Sequence, residues 1–580
     1  MPSPVPADPL ASTRILAVCL TLLAAALLLS PVLSDPIHLA LGVGASEGPS
    51  HLWGLWTTSS HMFPNGPFFR GAALNYPVGY LGDLIDPVSL VVFTPVWFLC
   101  GRGPIAAVIA WNTLHLATVC LAGWGGWRLG RRLFADPGPT LLVVAASAAS
   151  PYLMASAALG RSEYLAGAWY PLHLAFLHAW LSPQGRRRDA VGAILTLIGL
   201  GWSGWTLALW VSVLEIPVSL AFCEQIEGWR ERARRLGIVA IPAILGVLPF
   251  LASVLWLHPW WLARLTPGQY PGVPAMPLQD LFRFLQSYPV GGGVEIAPYP
   301  GTITVLLILV AFWIRPYEVL PWLIFAGSLL VLALGPQIEW ATTGMPTWRG
   351  DAPVSWIMFF VPTTQAIQNW PRIAALLGGP LGAASAWAVV DPAARGRPLH
   401  IVLCALLGAG IVLDHWSWGE RSTAAFTVTP PDDVTQALAG IPAGPILELP
   451  VDASSQEPQL VVWEDFSLLW QLQHGRPSSE VPSPTTAAAY TISVLASSLQ
   501  SGRRPSASPC ADSEQSRLYD AGFRGVVLQK RRVASSQGDA YVAAITSVLG
   551  APTVTAGQTI AWALAEGDPV PARCKAPLSM

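Results

Sequence analysis

From Ile15 to Leu33 the chain carries 19 uncharged, almost wholly apolar residues, about the length that spans a ~30 Å hydrocarbon layer. Comparable runs recur between short polar turns at roughly 104–127, 138–155, 166–182, 190–201, 204–222, 236–256, 301–314, 319–335, 373–391 and 399–414. With 15–33 they predict about eleven transmembrane helices. The run 88–101, VSLVVFTPVWFLCG, is apolar but short and reads as a re-entrant or interfacial helix. The pair 190–201 and 204–222 has an alternative as one kinked hairpin that stops short of the far side. Beyond residue 415 the pattern changes. Strand-like runs at 444–451, 458–463, 523–529 and 559–565 interleave with helix-like stretches at about 431–440, 485–500 and 537–549. The expectation is a mainly α chain: a polytopic helical membrane domain over 1–415, then a small α/β or α+β domain over 416–580.

Arginine sets the orientation. Arg14, Arg128/Arg131/Arg132, Arg186–Arg188, Arg230/Arg232/Arg234/Arg235, Arg315 and Arg395/Arg397 fall at alternate ends of the predicted spans. Basic residues mark the cytoplasmic side, so the N-terminus is predicted inside, and 34–103, 257–300, 336–372 and the C-terminal domain outside. The first helix reads as an uncleaved signal anchor, because SPVLSDP is a poor small-residue cleavage site.

Composition agrees: 53% hydrophobic, 11% charged and a mean hydropathy of +0.48 are values of a membrane protein. The 27 tryptophans suit interfacial belts. A net charge of −2 gives no reason to invoke a nucleic-acid partner, and no phosphate-cradling glycine loop stands between a strand and a helix. Cys19, Cys100, Cys120, Cys223 and Cys404 lie in or beside apolar segments and read as packing residues. Cys510 and Cys574 fall in the polar tail, where an oxidising compartment would make them a disulfide pair.

Polar residues gather in the predicted outside segments. In ASEGPSHLWGLW (45–56), a helix would put Glu47 and His51 on one face, able to hold a divalent metal ion or to form a proton-transfer pair. The alternative is an interfacial amphipathic helix anchored by Trp53 and Trp56. NYPVGY (75–80) reads as a turn aiming Asn75 and Tyr76 at a cavity, and Asp86 before Pro87 reads as a helix cap. Arg161 and Glu163 share a very short turn, as a local ion pair or as part of a site. Arg349, Asp351 and Arg372 could grip a phosphate, since a guanidinium fork matches its oxygens; headgroup contact is the alternative. His115 and His173 lie within apolar spans and read as satisfied core residues.

The ordered series ExxxHLW (47–53), LNYPVGY (74–80), PIAAVIAWNTLHLATVCLAGWGGWRLGRRL (104–133), GRSEYLAGAWYPL (160–172), NWPRIAALLGGPLGA (369–383) and ALAGIPAGPILELPV (437–451) resembles the GT-C superfamily of integral-membrane glycosyltransferases, nearest its YfhO-like bacterial members. The resemblance implies a polyprenyl-phosphate-linked sugar donor and an active site facing outward from the bacterial inner membrane. By matching position it assigns Glu47 as catalytic acid residue with His51 beside it, Glu163 as a second acidic residue, and Arg372 as a phosphate ligand. Family members usually carry Asp where this chain has Glu47. The leading expectation is therefore a glycosyltransferase moving sugar to an extracytoplasmic glycan, lipid or protein acceptor. The alternative is a non-catalytic protein on the same scaffold that binds lipid-linked glycan or assists envelope assembly. A transporter would call for acids inside the spans and two matching halves, and the acids here sit on one side.

Overall fold

A computed structural model describes residues 9–42, 48–65, 70–71, 80–81, 86–158, 160, 162–204, 229–257, 300–333, 337–340, 348–351, 355, 370–391, 393, 396–416, 425–449, 470–471, 473–474, 476, 493–500, 508–533 and 537–574. The predicted helix at 204–222 beyond its first residue, the predicted strand at 458–463 and Cys223 lie outside them.

The elements run α1 (Pro9–Leu29), β1 (Leu39–Leu41), α2 (Gly48–Asn65), the short pair β2 (Arg70–Gly71) and β3 (Tyr80–Leu81), α3 (Pro87–Leu99), α4 (Pro104–Leu133), α5 (Pro137–Ala148), α6 (Pro151–Ala158), α7 (Tyr170–Leu181), α8 (Arg187–Ser203) and α9 (Trp229–Leu257). Then come α10 (Thr302–Ile314), α11 (Pro316–Ala333), the hairpin β4 (Gln337–Trp340) and β5 (Trp348–Asp351), α12 (Gly378–Ala386), α13 (Pro398–Trp416) and β6 (Ala425–Thr427). The tail holds α14 (Asp432–Ala439), β7 (Ile446–Leu449), α15 (Val494–Gln500), α16 (Glu514–Asp520), β8 (Gly525–Gln529), α17 (Gly538–Leu549), β9 (Val554–Ala556) and β10 (Thr559–Ala563).

Among the described residues five helical stretches are long and apolar enough to cross a membrane: Ala11–Val32, Pro104–Leu133, Pro137–Ala157, Pro316–Ala333 and Pro398–Trp416. Every residue of α5 is buried, which makes it the central post of the bundle. Small residues let α4 approach it: a β-carbon on Gly126 would stand 2.8 Å from the Val143 carbonyl oxygen, and one on Gly130 2.8 Å from the Thr140 methyl. Such close backbone approach is how helices associate where lipid supplies no hydrophobic drive. The outer faces are apolar, with Trp313 90% and Leu399 81% exposed, a surface suited to lipid and costly in water. Cys19, Cys100 and Cys120 lie on exposed positions and only Cys404 of the described thiols is buried. The packing role expected for the first three is corrected: at these positions a small thiol can face lipid at little cost.

Several runs read as single helices are broken, and three of the breaks lie toward the end of the bundle away from the arginines. The run 138–155 divides into α5 and α6 at Ser150, because Pro151 lacks an N–H and disfavours helical geometry in the residue before it. The carbonyl of Ala149 freed by this break accepts a 2.8 Å hydrogen bond from His415 Nδ1. The runs 166–182 and 373–391 begin as 3₁₀ turns, Ser162–Trp169 and Trp370–Leu376. Asp86 caps α3, its carboxylate accepting from the Ser89 backbone N–H at 3.2 Å.

The opposite end collects the arginines. Arg132 pairs with Asp189 at 3.4 Å, and Arg235 donates to the Trp180 and Ser182 carbonyls at 2.8 and 2.7 Å. Arg315 donates to the Val390 carbonyl at 3.0 Å. Asp136 and His400, 3.1 Å apart, close the same end.

In the tail a four-stranded sheet has the order β7-β8-β10-β9, with β7 parallel to β8 and the other pairs antiparallel. Leu447, Phe523, Leu528, Ile545 and Trp562 are packed in its core, and Cys510 and Cys574 form a disulfide with a Cα–Cα distance of 5.6 Å. Strand β6 precedes this unit and pairs antiparallel with β1; Phe426 and Val428 are buried in the helical core.

Candidate active site

The site is framed at the end of the bundle away from the arginines. There α4 holds the chain emerging from α1 by two adjacent side chains. The Trp111 indole donates to the Leu41 carbonyl at 2.7 Å, and Asn112 Oδ1 accepts from the Leu41 N–H at 3.0 Å. The Asn112 amide donates to the Pro36 and Leu39 carbonyls at 3.1 and 2.9 Å. One buried asparagine thus satisfies three backbone groups of β1 and its approach, groups that would be expensive to bury unpaired. The other edge of β1 is occupied by β6.

Past β1 the chain passes Gly42 and is next described at Gly48, and both glycines lie against Gly160. A β-carbon on Gly42 would stand 3.0 Å from the Gly160 α-carbon, and one on Gly160 2.7 Å from the Gly48 α-carbon. Gly160 has φ +74° and Gly42 φ +133°, backbone geometry that glycine adopts without penalty. Glu47 lies outside the described residues. Arg161, Asn75 and Tyr76 also lie outside the described residues.

Glu163 belongs to the 3₁₀ segment Ser162–Trp169, described here through its backbone. This segment lies on Trp370–Leu376, which carries Arg372: a β-carbon on Gly167 would stand 2.6 Å from the Ala375 carbonyl oxygen. Backbone contacts therefore link the start of α2 to the segment that carries Glu163, through Gly48–Gly160, and that segment to the one that carries Arg372, through Gly167–Ala375. Beneath them a small cavity is lined by Ser150, Tyr152, Ala374, Leu377, Gly378 and His415. His415 Nε2 meets Thr304 Oγ1 at 3.2 Å, and Asp414 accepts from the Ile303 N–H at 2.8 Å, so α13 also fixes the start of α10.

His51 is half-buried in the first turn of α2, within electrostatic reach of His115. His115 and His173 are buried; their Nδ1 atoms hydrogen-bond the Trp111 carbonyl at 2.9 Å and the Ala193 carbonyl at 3.0 Å. Arg349 and Asp351 lie on β5, whose register with β4 sets Arg349 opposite Glu339 and Asp351 opposite Gln337. Among the described residues no three His, Cys, Asp or Glu side chains cluster as a metal site.

The interfacial anchoring expected for Trp53 is corrected: it is 2% exposed, and its indole donates to Gln471 Oε1 at 3.1 Å. A buried indole N–H needs an acceptor, and the C-terminal part of the chain brings one. Sequence reading also passed over Trp111, Asn112 and His415. Their signal was polar hydrogen-bonding side chains inside otherwise apolar helices, which the membrane makes expensive unless partnered.

The sequence matches no protein-family model and no curated protein. Solved structures are similar. ArnT from Cupriavidus metallidurans in the apo state superposes with a TM-score of 0.55 at 13% identity, covering 97% of this chain and 100% of that one. The same protein bound to undecaprenyl phosphate gives 0.47 at 13% identity, over 96% and 99% of the two chains. Archaeal oligosaccharyltransferase AglB from Archaeoglobus fulgidus, in complex with an inhibitory peptide and a dolichol-phosphate, gives 0.47 at 12%, over 93% and 71%. The likeness to apo ArnT, end to end in both chains, shows a shared fold, and five of the helices among the described residues are long and apolar enough to cross a membrane.

Proposed function

We propose that the protein is a glycosyltransferase of the bacterial inner membrane, of the YfhO-like kind, that moves a sugar from a polyprenyl-phosphate donor to an acceptor outside the cytoplasm. The observation that carries this reading is the backbone contact between the start of α2, the segment 160–169 and the segment Trp370–Leu376 at one end of the bundle, opposite the arginine-rich end; in sequence Glu47 directly precedes the first, and Glu163 and Arg372 belong to the other two. By the positive-inside rule the arginine end is cytoplasmic, which puts the site outside. The Cys510–Cys574 disulfide suits the same assignment, since such bonds persist in oxidising compartments. ArnT, whose fold the chain shares, has been solved with undecaprenyl phosphate, a lipid carrier of the class proposed here.

In the reaction the bond between the sugar's anomeric carbon and the phosphate oxygen breaks, and its electron pair leaves with the phosphate. Arg372 pairs with that growing charge, supported by Arg349 and Arg161. The acceptor oxygen attacks from the opposite face and its proton passes to the Glu47 carboxylate, inverting the anomeric carbon. His51 orients Glu47; Glu163, with Asn75, Tyr76 and Asp351, holds sugar and acceptor hydroxyls. The polyprenyl tail lies along the apolar helix faces, which is why such a catalyst must be embedded in lipid.

The test uses the full chain in lipid nanodiscs with a panel of polyprenyl-phosphate sugars, following release of free polyprenyl phosphate. Release by the native protein that falls roughly 10²–10⁴-fold in Glu47→Gln supports the assignment of the base. Release that survives the mutation keeps the enzyme and moves the site to Glu163. Binding without release from any donor overturns the transferase reading in favour of a non-catalytic lipid-linked-glycan binder.

A further inference from the structure

Trp53 and Gln471 are 418 positions apart and both buried, at 2% and 3% exposure, yet their side chains are joined by a 3.1 Å hydrogen bond. Gln471 uses both ends of its amide: its Nε2 donates to the Arg476 carbonyl at 3.1 Å. The Arg476 guanidinium in turn donates to the Pro442 and Leu438 carbonyls at 2.9 and 2.7 Å, at the end of α14 and the approach to β7. Trp470, next to Gln471, packs with Ile446, Val527 and Ala561 of the sheet. A continuous polar chain therefore runs from the sheet of the C-terminal domain to the second turn of α2. That helix starts at Gly48, directly after Glu47, and Trp53 stands about 7.5 Å along its axis from Gly48 at 1.5 Å per residue.

We propose that this link is a strut by which the C-terminal domain sets the position and rotation of α2, and that Trp53 is thereby a positioning residue for Glu47. The inference rests on the transferase reading above. Core packing of Leu52, Trp53 and Leu55 restrains the rotation of α2 against its own bundle but does not couple it to the C-terminal domain. A bond from an indole N–H to an amide whose other end is also held supplies that coupling. Such control matters because a displacement of about 1 Å at a reacting group costs on the order of 10²-fold in rate.

The experiment compares the full-length native protein in nanodiscs with Trp53→Phe, Gln471→Met and the double variant. It reads kcat for polyprenyl-phosphate release, Kd for undecaprenyl phosphate, Tm, and hydrogen exchange over residues 48–60. Each single change is expected to lower kcat about 10-fold or more while Kd stays within about twofold, and to speed exchange over 48–60. The double variant replaces both polar partners with apolar ones, which restores most of the stability lost by stranding one of them; Tm should recover and kcat should not. Recovery of kcat together with Tm, or unchanged exchange over 48–60, overturns the strut. If the native protein releases nothing but exchange accelerates in the variants, the transferase reading falls and the mechanical link stands.

Discussion

Gly160 and Gly48 meet backbone to backbone: the α-carbon of Gly48 lies 2.7 Å from where a β-carbon on Gly160 would stand. Because the obstructing atom is main chain, no rotamer change can relieve the clash, and Gly160 also holds φ +74°. Gly160→Ala should therefore push the start of α2 off the 160–169 turn, lowering the release rate roughly 10²-fold as the reacting groups separate. Gly101→Ala is the control. Gly101 has φ +102° with nothing within 4 Å of its would-be β-carbon, so that variant carries backbone strain without a clash at the site. It should lose about 1–2 kcal/mol of stability and keep its rate. Equal rate loss in both variants would sink the backbone-contact account.

Asn112→Ala removes the acceptor for the Leu41 N–H and the donor to two carbonyls at once. Stranding these buried groups should cost about 1–3 kcal/mol, seen as a lower Tm and faster proteolysis within 34–47. Asn112→Asp should not rescue it, because a carboxylate keeps the acceptor but faces the Pro36 and Leu39 carbonyls with no proton to give. A melting curve for Asn112→Ala that overlays the native one would mean that β6 and the Trp111 indole hold β1 without it.

The helical bundle was legible because lipid simplifies the code: apolar runs and arginine turns report spans directly, and α1, α4, α8, α11 and α13 fall where the runs do. The strands Ile446–Leu449, Gly525–Gln529 and Thr559–Ala563 were legible for a similar reason, being short apolar runs between turn residues. Breaks at Ser150, Trp169 and Leu377 were not, since hydropathy averages over the prolines and glycines that cause them. Nor was the fate of Trp53 legible, because interfacial anchoring and burial against Gln471 make the same demand on a local sequence. The partner lies 418 residues away, and only the tertiary fold names it. Glu47, Glu163 and Arg372 were each visible as charges outside predicted spans. The contacts that join the start of α2, the segment 160–169 and the segment 370–376 depend on Gly48, Gly160 and Gly167, residues whose message is close approach rather than chemistry.

The disulfide closes a 64-residue separation between Cys510 and Cys574. On the chain-entropy account a loop of that size is worth about 4 kcal/mol. Cys510→Ser should therefore lower the unfolding midpoint of the C-terminal domain in the full chain, and dithiothreitol should shift the native protein to the same midpoint while leaving the variant unmoved. A native midpoint indifferent to reductant would mean that the bond does not form in the mature protein.

His474 supplies the pH dependence. Burial and the neighbouring Arg476 hold its pKa down to about 4 from an ordinary 6.5, and its Nδ1 accepts the Arg476 backbone N–H at 3.0 Å. A proton on Nδ1 would end that bond. Between these two values the unfolded chain binds a proton that the folded chain refuses, so stability is full above about pH 6.5 and is lost as pH falls toward 4. Glu514 acts in the opposite sense: burial raises its pKa, against hydrogen bonds from Leu495 and Ser493, so its contribution declines as pH rises through the raised value. The native curve mixes the two, and the informative quantity is its difference from His474→Asn, which keeps an acceptor for Arg476 and does not titrate. The native protein should lose stability relative to the variant on acidification from pH 6.5 to 4, with parallel curves above that window. Because Gln471 stands three residues before His474 and carries the bond to Trp53, exchange over 48–60 should quicken in the same acid window in the native protein and not in the variant. Parallel stability curves down to pH 4 would show that His474 titrates alike in the folded and unfolded chains.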